Sequence, residues 1–287
     1  MKHIIVPIDF SNESINGLRL AIIFANHFKS TIQLVYVQKT PTELGRADFN
    51  EEKKTATANL NKIVEEYRSK LIEPAKIEYI VKKGKVYKEI VNQAQAFDES
   101  MIISSTHGAS GFEEFFIGSN TFKIISASDL PVLTIRHGAV AREIKKIVLP
   151  IDVSADTRQK VPFTVEIAKA FNAEIHVLGV TSTKNAEIDA KITAYTNQVC
   201  EYLKDHEIKY NLALLNGSNI TDVTIEYALD NNADLISIMT EQNEPIASFV
   251  LGSYAQQMLS KSPIPVMSIT PKEIFIMGSF RTFGAPY

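Results

Sequence analysis

The chain has 287 residues, 45% of them hydrophobic and 22% charged, with a formal net charge of −3. That length suits two α/β domains of about 140 residues, each large enough to bury its own core. The slight acidity leaves no basic surplus to neutralise a phosphate backbone, which argues against nucleic acid as a partner, and no apolar run approaches the roughly 20 residues that span a bilayer.

At the start, Met1-Lys2-His3 leads straight into Ile4-Ile5-Val6 and Pro7. This run is shorter than the apolar segment of about 7–15 residues in a secretory signal, which predicts a cytoplasmic protein. Cys200 is the only cysteine. An intrachain disulfide and a cysteine-based zinc cluster are therefore excluded, and the residue reads as a packed thiol in a reducing compartment.

Along the first half, apolar runs at 3–8, 31–37, 77–82, 100–105 and 131–136 alternate with amphipathic segments at about 13–28, 50–72, 86–97 and 118–128. Strands alternating with helices in this way predict a doubly wound, five-stranded parallel sheet. The strands are continuous apolar runs, as burial on both faces requires, so helices are expected on both sides. Small residues in His137-Gly138-Ala139-Val140-Ala141-Arg142 suit a linker.

The second half repeats the first. Ile4-Ile5-Val6-Pro7-Ile8-Asp9-Phe10-Ser11 recurs as Ile147-Val148-Leu149-Pro150-Ile151-Asp152-Val153-Ser154, five of eight positions identical at an offset of 143. Thr31 to Val37 falls on Glu174 to Val180 at the same offset, so the intervening helix is expected to match in length. Further on, Ile117-Gly118-Ser119 and Leu130 to Ile135 map to Leu251-Gly252-Ser253 and Ile264 to Ile269 at an offset of 134. The second copy is thus nine residues shorter in its middle, and the deficit is expected around its second helix, Ala186 to Leu203 against Glu51 to Leu71. The predicted domains are 1–138, 143–271 and an aromatic tail, 272–287.

In an open α/β sheet a ligand binds beyond the carboxyl ends of the strands, at the point where connections diverge, here expected between the first and fourth strands. Two segments should meet there: Pro7-Ile8-Asp9, and the run from Ser105 through His107, Gly108, Glu113, Glu114 and Gly118 to Ser119. Glycines admit phosphate oxygens close to the backbone, and Gly118-Ser119 opens a helix whose N-terminal dipole favours an anion. Taken alone, a glycine-containing turn before a helix is a weak signal.

The spacing resembles that of the universal stress protein family, whose ATP-binding members carry Gly-x2-Gly-x9-Gly-Ser after the fourth strand. The first copy supplies Ser105, Gly108, Gly118 and Ser119 at that spacing, with serine in place of the first glycine. The resemblance covers nearly all of both copies. It implies an adenine-nucleotide alpha-hydrolase-like fold, the two domains packed as an internal pseudo-dimer, with further association into a homo-oligomer possible. It further implies an adenine nucleotide, ATP with Mg²⁺, as ligand of the first domain. On that basis Asp9 and Val37 would address ribose and adenine, beside Pro7 and Ile8, while Ser105, His107, Gly108, Gly118, Ser119 and Asn120 would surround the phosphates.

Residues 109–117 contain no lysine or arginine but do contain Glu113 and Glu114. Each carboxylate near a phosphate costs on the order of 1 kcal/mol at surface dielectric, which predicts weak, Mg²⁺-dependent binding. The second copy reads Met239, Gln242, Gly252 and Ser253, with Asp152 and Val180 retained and Glu241 and Glu244 added. Larger residues and more negative charge predict a second site that does not bind.

No other catalytic pattern stands out. His107 has no evident nucleophile or carboxylate partner and reads as a turn-shaping residue. Gly108-Ala109-Ser110-Gly111 is one residue short of a nucleophile elbow. A Gly-x4-Gly-Lys-Ser/Thr loop is missing, so fast phosphoryl transfer is not expected. Glu113 and Glu114 are adjacent and point apart. Three readings stay open: a stress protein that binds nucleotide in its first domain and acts by conformation or partner contact, a nucleotide-free scaffold with both loops vestigial, and a slow ATPase. The tail from Ile274 to Tyr287, rich in aromatic residues, is expected to pack on its own chain or on a partner subunit.

Overall fold

The computed structural model describes residues 1–38, 46–106, 117–136, 143–154, 156–240 and 251–271. The linker at 137–142, most of both glycine loops (107–116 and 241–250) and the tail at 272–287 lie outside the described residues. The chain divides into two compact units, 1–142 and 143–287. None of the described helices is long and apolar enough to cross a membrane.

Unit 1 runs β1 (His3–Pro7), α1 (Asn12–Phe28), β2 (Thr31–Gln38), α2 (Arg46–Arg68), β3 (Lys76–Lys83), α3 (Val86–Gln95), β4 (Ser100–Ser105), α4 (Ser119–Ala127) and β5 (Val132–Ile135). Its strands are parallel and ordered β3-β2-β1-β4-β5. Ile4, Ile5 and Val6 of β1 and Met101, Ile102 and Ile103 of β4 are fully buried at its centre. The register pairs Pro7 with Val35 on one side and Ile5 with Ile102 on the other. Connections from β1 and β4 therefore leave in opposite directions, and the crevice of a doubly wound sheet opens at their carboxyl ends.

Local chemistry fixes the helix starts. The Ser11 side chain accepts from the Ser14 N–H and caps α1, with Glu13 in the first turn where the helix dipole favours it. Lys29, left-handed at φ 58°, ends the same helix.

Unit 2 repeats the plan with β6 (Lys146–Ile151), α5 (Val161–Phe171), β7 (Glu174–Thr181), α6 (Ala186–Asp205), β8 (Tyr210–Asn216), α7 (Ile220–Asp230), β9 (Leu235–Met239), α8 (Ser253–Lys261) and β10 (Val266–Ile269). Its parallel order is β10-β9-β6-β7-β8.

Two sequence expectations need correction. The helix after the first strand does not match in length: α1 has 17 residues and α5 has 11, although both end at the same repeat position, Phe28 and Phe171. Pro162 is the cause. Without an N–H it cannot bond back to the Arg158 carbonyl, and its ring blocks a preceding helical turn, so α5 begins beside it and 157–161 close tighter turns. The nine-residue deficit does fall around the second helix, as expected. The connection before it, the helix itself (23 residues in α2, 20 in α6) and the connection after it are each three residues shorter. Finally, the expected burial on both faces fails in β3 and β8. In β3 only Ile77 is buried, and every residue of β8 except Ala213 is exposed.

Candidate functional site

In unit 1 the end of β1 is shaped by a tight turn. Asp9 Oδ1 accepts from the Ser11 N–H at 3.1 Å and from Ser11 Oγ at 2.5 Å. Between them Phe10 sits at φ 65°, a left-handed conformation that costs a bulky residue about 1–2 kcal/mol. Stacking of its ring on Tyr36, with centroids 5.0 Å apart, holds it there. The Tyr36 hydroxyl donates to Glu52 Oε1 at 2.7 Å. Burial first, then that hydrogen bond and the negative charges of Glu52 and Asp9, raise its pKa and keep the phenol protonated. Asp9 itself is exposed at the crevice.

From the other side, the Thr106 N–H extends the β4–β5 ladder to Ile135 O at 2.9 Å. The Gly118 N–H donates to Thr106 O at 2.6 Å, and Thr121 Oγ1 donates to Ser105 O at 2.8 Å. These two bonds pin the start of α4 to the end of β4. Gly118 is the N-cap and offers no side-chain oxygen to the first turn, while Ser119 and Asn120 are exposed. A helix start of this kind leaves backbone N–H groups and the positive end of the dipole for an anion. Pro7, Ile8, Asp9, Ser105, Gly118, Ser119 and Asn120 thus lie on the adjacent β1 and β4 ends and the helix pinned to one of them. Val37, half-buried, stands one strand away near the end of β2. His107 and Gly108 lie outside the described residues.

Unit 2 keeps the frame and changes its filling. Asp152 Oδ1 accepts from the Ser154 N–H and Oγ, as Asp9 does from Ser11. Val153 replaces Phe10 without the left-handed backbone. Gly179 takes the repeat position of Tyr36, and Leu214, Ile192 and Thr196 crowd the space that a side chain there would need. Val180 is 1% exposed and Met239 is 7% exposed, so both belong to the core. Gly252 caps α8 without a side-chain bond, but Ala255 stands where Thr121 anchors α4. Ser253 is exposed, and Gln242 lies outside the described residues.

The sequence reading sought basic residues only in the glycine loops and missed two in the segment that follows Asp152. Arg158 and Lys160 are buried at 4% and 2% exposure. The Arg158 guanidinium lies 3.8 Å over the Tyr195 ring and bonds Gln198. Lys160 Nζ donates to the Thr157 carbonyl at 2.5 Å and reaches Thr157 Oγ1 at 3.2 Å. Burial pushes the Lys160 ammonium down to about 8, against the pull of Asp152. Lys160 matches Gly17 at the offset of 143, a position where α1 lies against Ser104 and Ser105. That glycine-to-lysine change was the available signal.

A parallel sheet with a turn-forming aspartate on the first strand and a helix start after the fourth defines a doubly wound α/β domain, here present twice. The universal stress protein family model matches residues 1–136 and 143–269, and the chain belongs to that family as a tandem member. Universal stress protein MJ0531 of Methanocaldococcus jannaschii is 26% identical over 145 residues, 47% of this chain and 82% of the relative. A universal stress protein structure from Archaeoglobus fulgidus superimposes with a TM-score of 0.78 at 18% identity, covering 93% of this chain and 98% of its own. A protein of unknown function from Pseudomonas aeruginosa gives 0.68 at 17% identity, covering 94% and 93%. At these identities the two structures establish the fold alone.

Proposed function

We propose that unit 1 binds an adenine nucleotide, as Mg-ATP, and that the protein acts in a cytoplasmic stress response through ligand-dependent conformation or partner contact. The observation that carries this reading is the uncapped start of α4, pinned by Gly118 to Thr106 and by Thr121 to Ser105 next to the Asp9 turn. Phosphate oxygens would meet the Gly118, Ser119 and Asn120 backbone, with Ser105, His107 and Gly108 completing the cradle. Pro7, Ile8, Asp9 and Val37 would take the nucleoside. Among the described residues no cluster of three histidine, cysteine or carboxylate side chains is placed to hold a metal, so Mg²⁺ would arrive with the phosphates. Unit 2 would stay empty, because Val180 and Met239 are drawn into its core and a lysine is buried beside Asp152.

The test is calorimetric titration of the full chain with Mg-ATP, together with mass spectrometry of small molecules released on denaturation. Wild type and Gly252→Val should bind with one site per chain. Gly118→Val, which places a branched side chain at the helix start, should weaken binding at least about tenfold, on the order of 1.4 kcal/mol. A wild type with neither titration heat nor released nucleotide would leave the scaffold reading in its place.

A further inference from the structure

The strands that follow the second helix, β3 and β8, are edge strands of their units and differ in character. Strand β3 ends the order of unit 1 and carries Lys76, Glu78, Lys82 and Lys83, charges that discourage another strand from adding on. Strand β8 ends the order of unit 2, and in the register of its pairing with β7 it has Asn211, Leu215 and Asn216 in place of Glu78, Lys82 and Lys83. The seven residues Tyr210–Asn216 contain no charge, and Tyr210, Leu212, Leu214 and Leu215 are exposed by 39%, 38%, 52% and 37%. Gly179 accounts for part of this exposure. It lets Ile192 and Thr196 of α6 settle onto β7, so the helix gives β8 less cover.

The backbone is equally open. The Lys209 carbonyl and the Gly217 N–H both bond to β7, so odd-numbered residues face the sheet and, by alternation, Tyr210, Leu212, Leu214 and Asn216 turn their N–H and C=O groups outward. Among the described residues no strand pairs with them.

We propose that β8 is the edge through which two copies of this chain pair, antiparallel about a two-fold axis centred on Ala213. The sequence Tyr-Asn-Leu-Ala-Leu-Leu-Asn is close to self-complementary about that centre. Leu212 falls opposite Leu214 of the second copy, twice, and Tyr210 opposite Asn216. These are the residues with outward backbone groups, so each such pair exchanges both hydrogen bonds, while Ala213 meets its own copy at a non-hydrogen-bonded position. Lys209 falls opposite Gly217, which keeps the nearest like charges at opposite ends of the ribbon. Parallel pairing in register would instead set Lys209 against Lys209. A closed two-fold contact also uses up both edges, where a free uncharged edge would template open-ended addition. Seven paired residues run about 24 Å, and with leucines on both faces the contact buries on the order of 1,000 Å², the lower end for a specific dimer.

Sedimentation equilibrium of the full chain from about 1 to about 100 µM should show a monomer–dimer equilibrium with a micromolar dissociation constant. Leu212→Lys with Leu214→Lys, changes at exposed positions whose folding circular dichroism can verify, should weaken it at least about a hundredfold, on the order of 2.7 kcal/mol. In a Cys200→Ser background, Ala213→Cys should oxidise to a covalent dimer, since Cα atoms about 4.5 Å apart suit a disulfide. Asn211→Cys should not, because its copies lie about 13 Å apart in this register. A monomer throughout, a dimer indifferent to the lysine pair, or cross-linking at 211 but not at 213 would overturn the proposal. Dimerisation only after removal of 272–287 would overturn it too and assign β8 to the chain's own tail.

Discussion

Lys160 shows how one residue can set the pH response of a unit. Its ammonium is buried and its pKa lies at about 8, below the ordinary lysine value. The folded state therefore resists the charge: this group's contribution is fully favourable above pH 10.5 and is lost as pH falls through about 8, leaving a deficit of about 3 kcal/mol at pH 7. Lys160→Met should raise stability at pH 7 by about 1–3 kcal/mol, since the methionine forfeits the bonds to Thr157. Urea unfolding should show that gain shrinking as pH rises toward 10. His176 works in the same direction at lower pH. Its Nδ1 is 3.0 Å from the Tyr227 hydroxyl, and its Nε2 stands 3.7 Å from Glu174, too far to bond. Burial lowers its pKa, assisted by Lys146 and opposed by Glu174. Its stability contribution is therefore present above about pH 6.5 and lost as pH falls through the lower folded value. Unfolding midpoints between pH 7 and 5 should fall less steeply in His176→Gln than in wild type. The substitution has a precedent within the chain, since Gln33 and Gln93 bond at the repeat positions of His176 and Tyr227. The repeat aligned these pairs, but no periodicity announces that two such residues meet across a strand and a helix.

At the level of elements, small sequence differences redirect whole helices. Pro162 trims α5 at its start and releases 156–160 to form the turn that buries Arg158 and Lys160. Gly179 does the same for α6. A methyl group there would lie 2.5 Å from Leu214 Cδ2, 2.8 Å from Ile192 Cγ2 and 3.1 Å from Thr196 Cγ2. Leu214 can swing into solvent, but Ile192 and Thr196 move only with the helix. Gly179→Ala should cost about 1–3 kcal/mol in chemical denaturation while leaving nucleotide binding by unit 1 unchanged. Strand and helix positions were legible because their apolar runs are long and end at sharp polar boundaries. Helix beginnings were less so: Ser11, Asn185 and Asn219 cap with their side chains, whereas Gly118 and Gly252 start helices with none.

Across the molecule, the repeat carried most of the information. Offsets of 143 and 134 place β1, β2, β4 and β5 on β6, β7, β9 and β10, and the run of apolar strands implied a doubly wound sheet in each unit, with the order β3-β2-β1-β4-β5 repeated as β8-β7-β6-β9-β10. The loop spacing likewise picked out residues that the fold brings to neighbouring strand ends. What the chain order could not supply was the environment of each side chain. Asp9 and Asp152 are the same letter in the same motif and make the same turn, yet one opens to solvent beside Phe10 and Tyr36 while the other has a buried lysine coupled to it. Periodicity and spacing are properties of the chain alone, so the sequence determined the fold and its duplication. Burial, pKa and edge exposure depend on which distant residues come to lie together, so only the tertiary structure distinguished the exposed Asp9 turn of unit 1 from the Asp152 turn of unit 2 with its buried lysine, and left β8 bare.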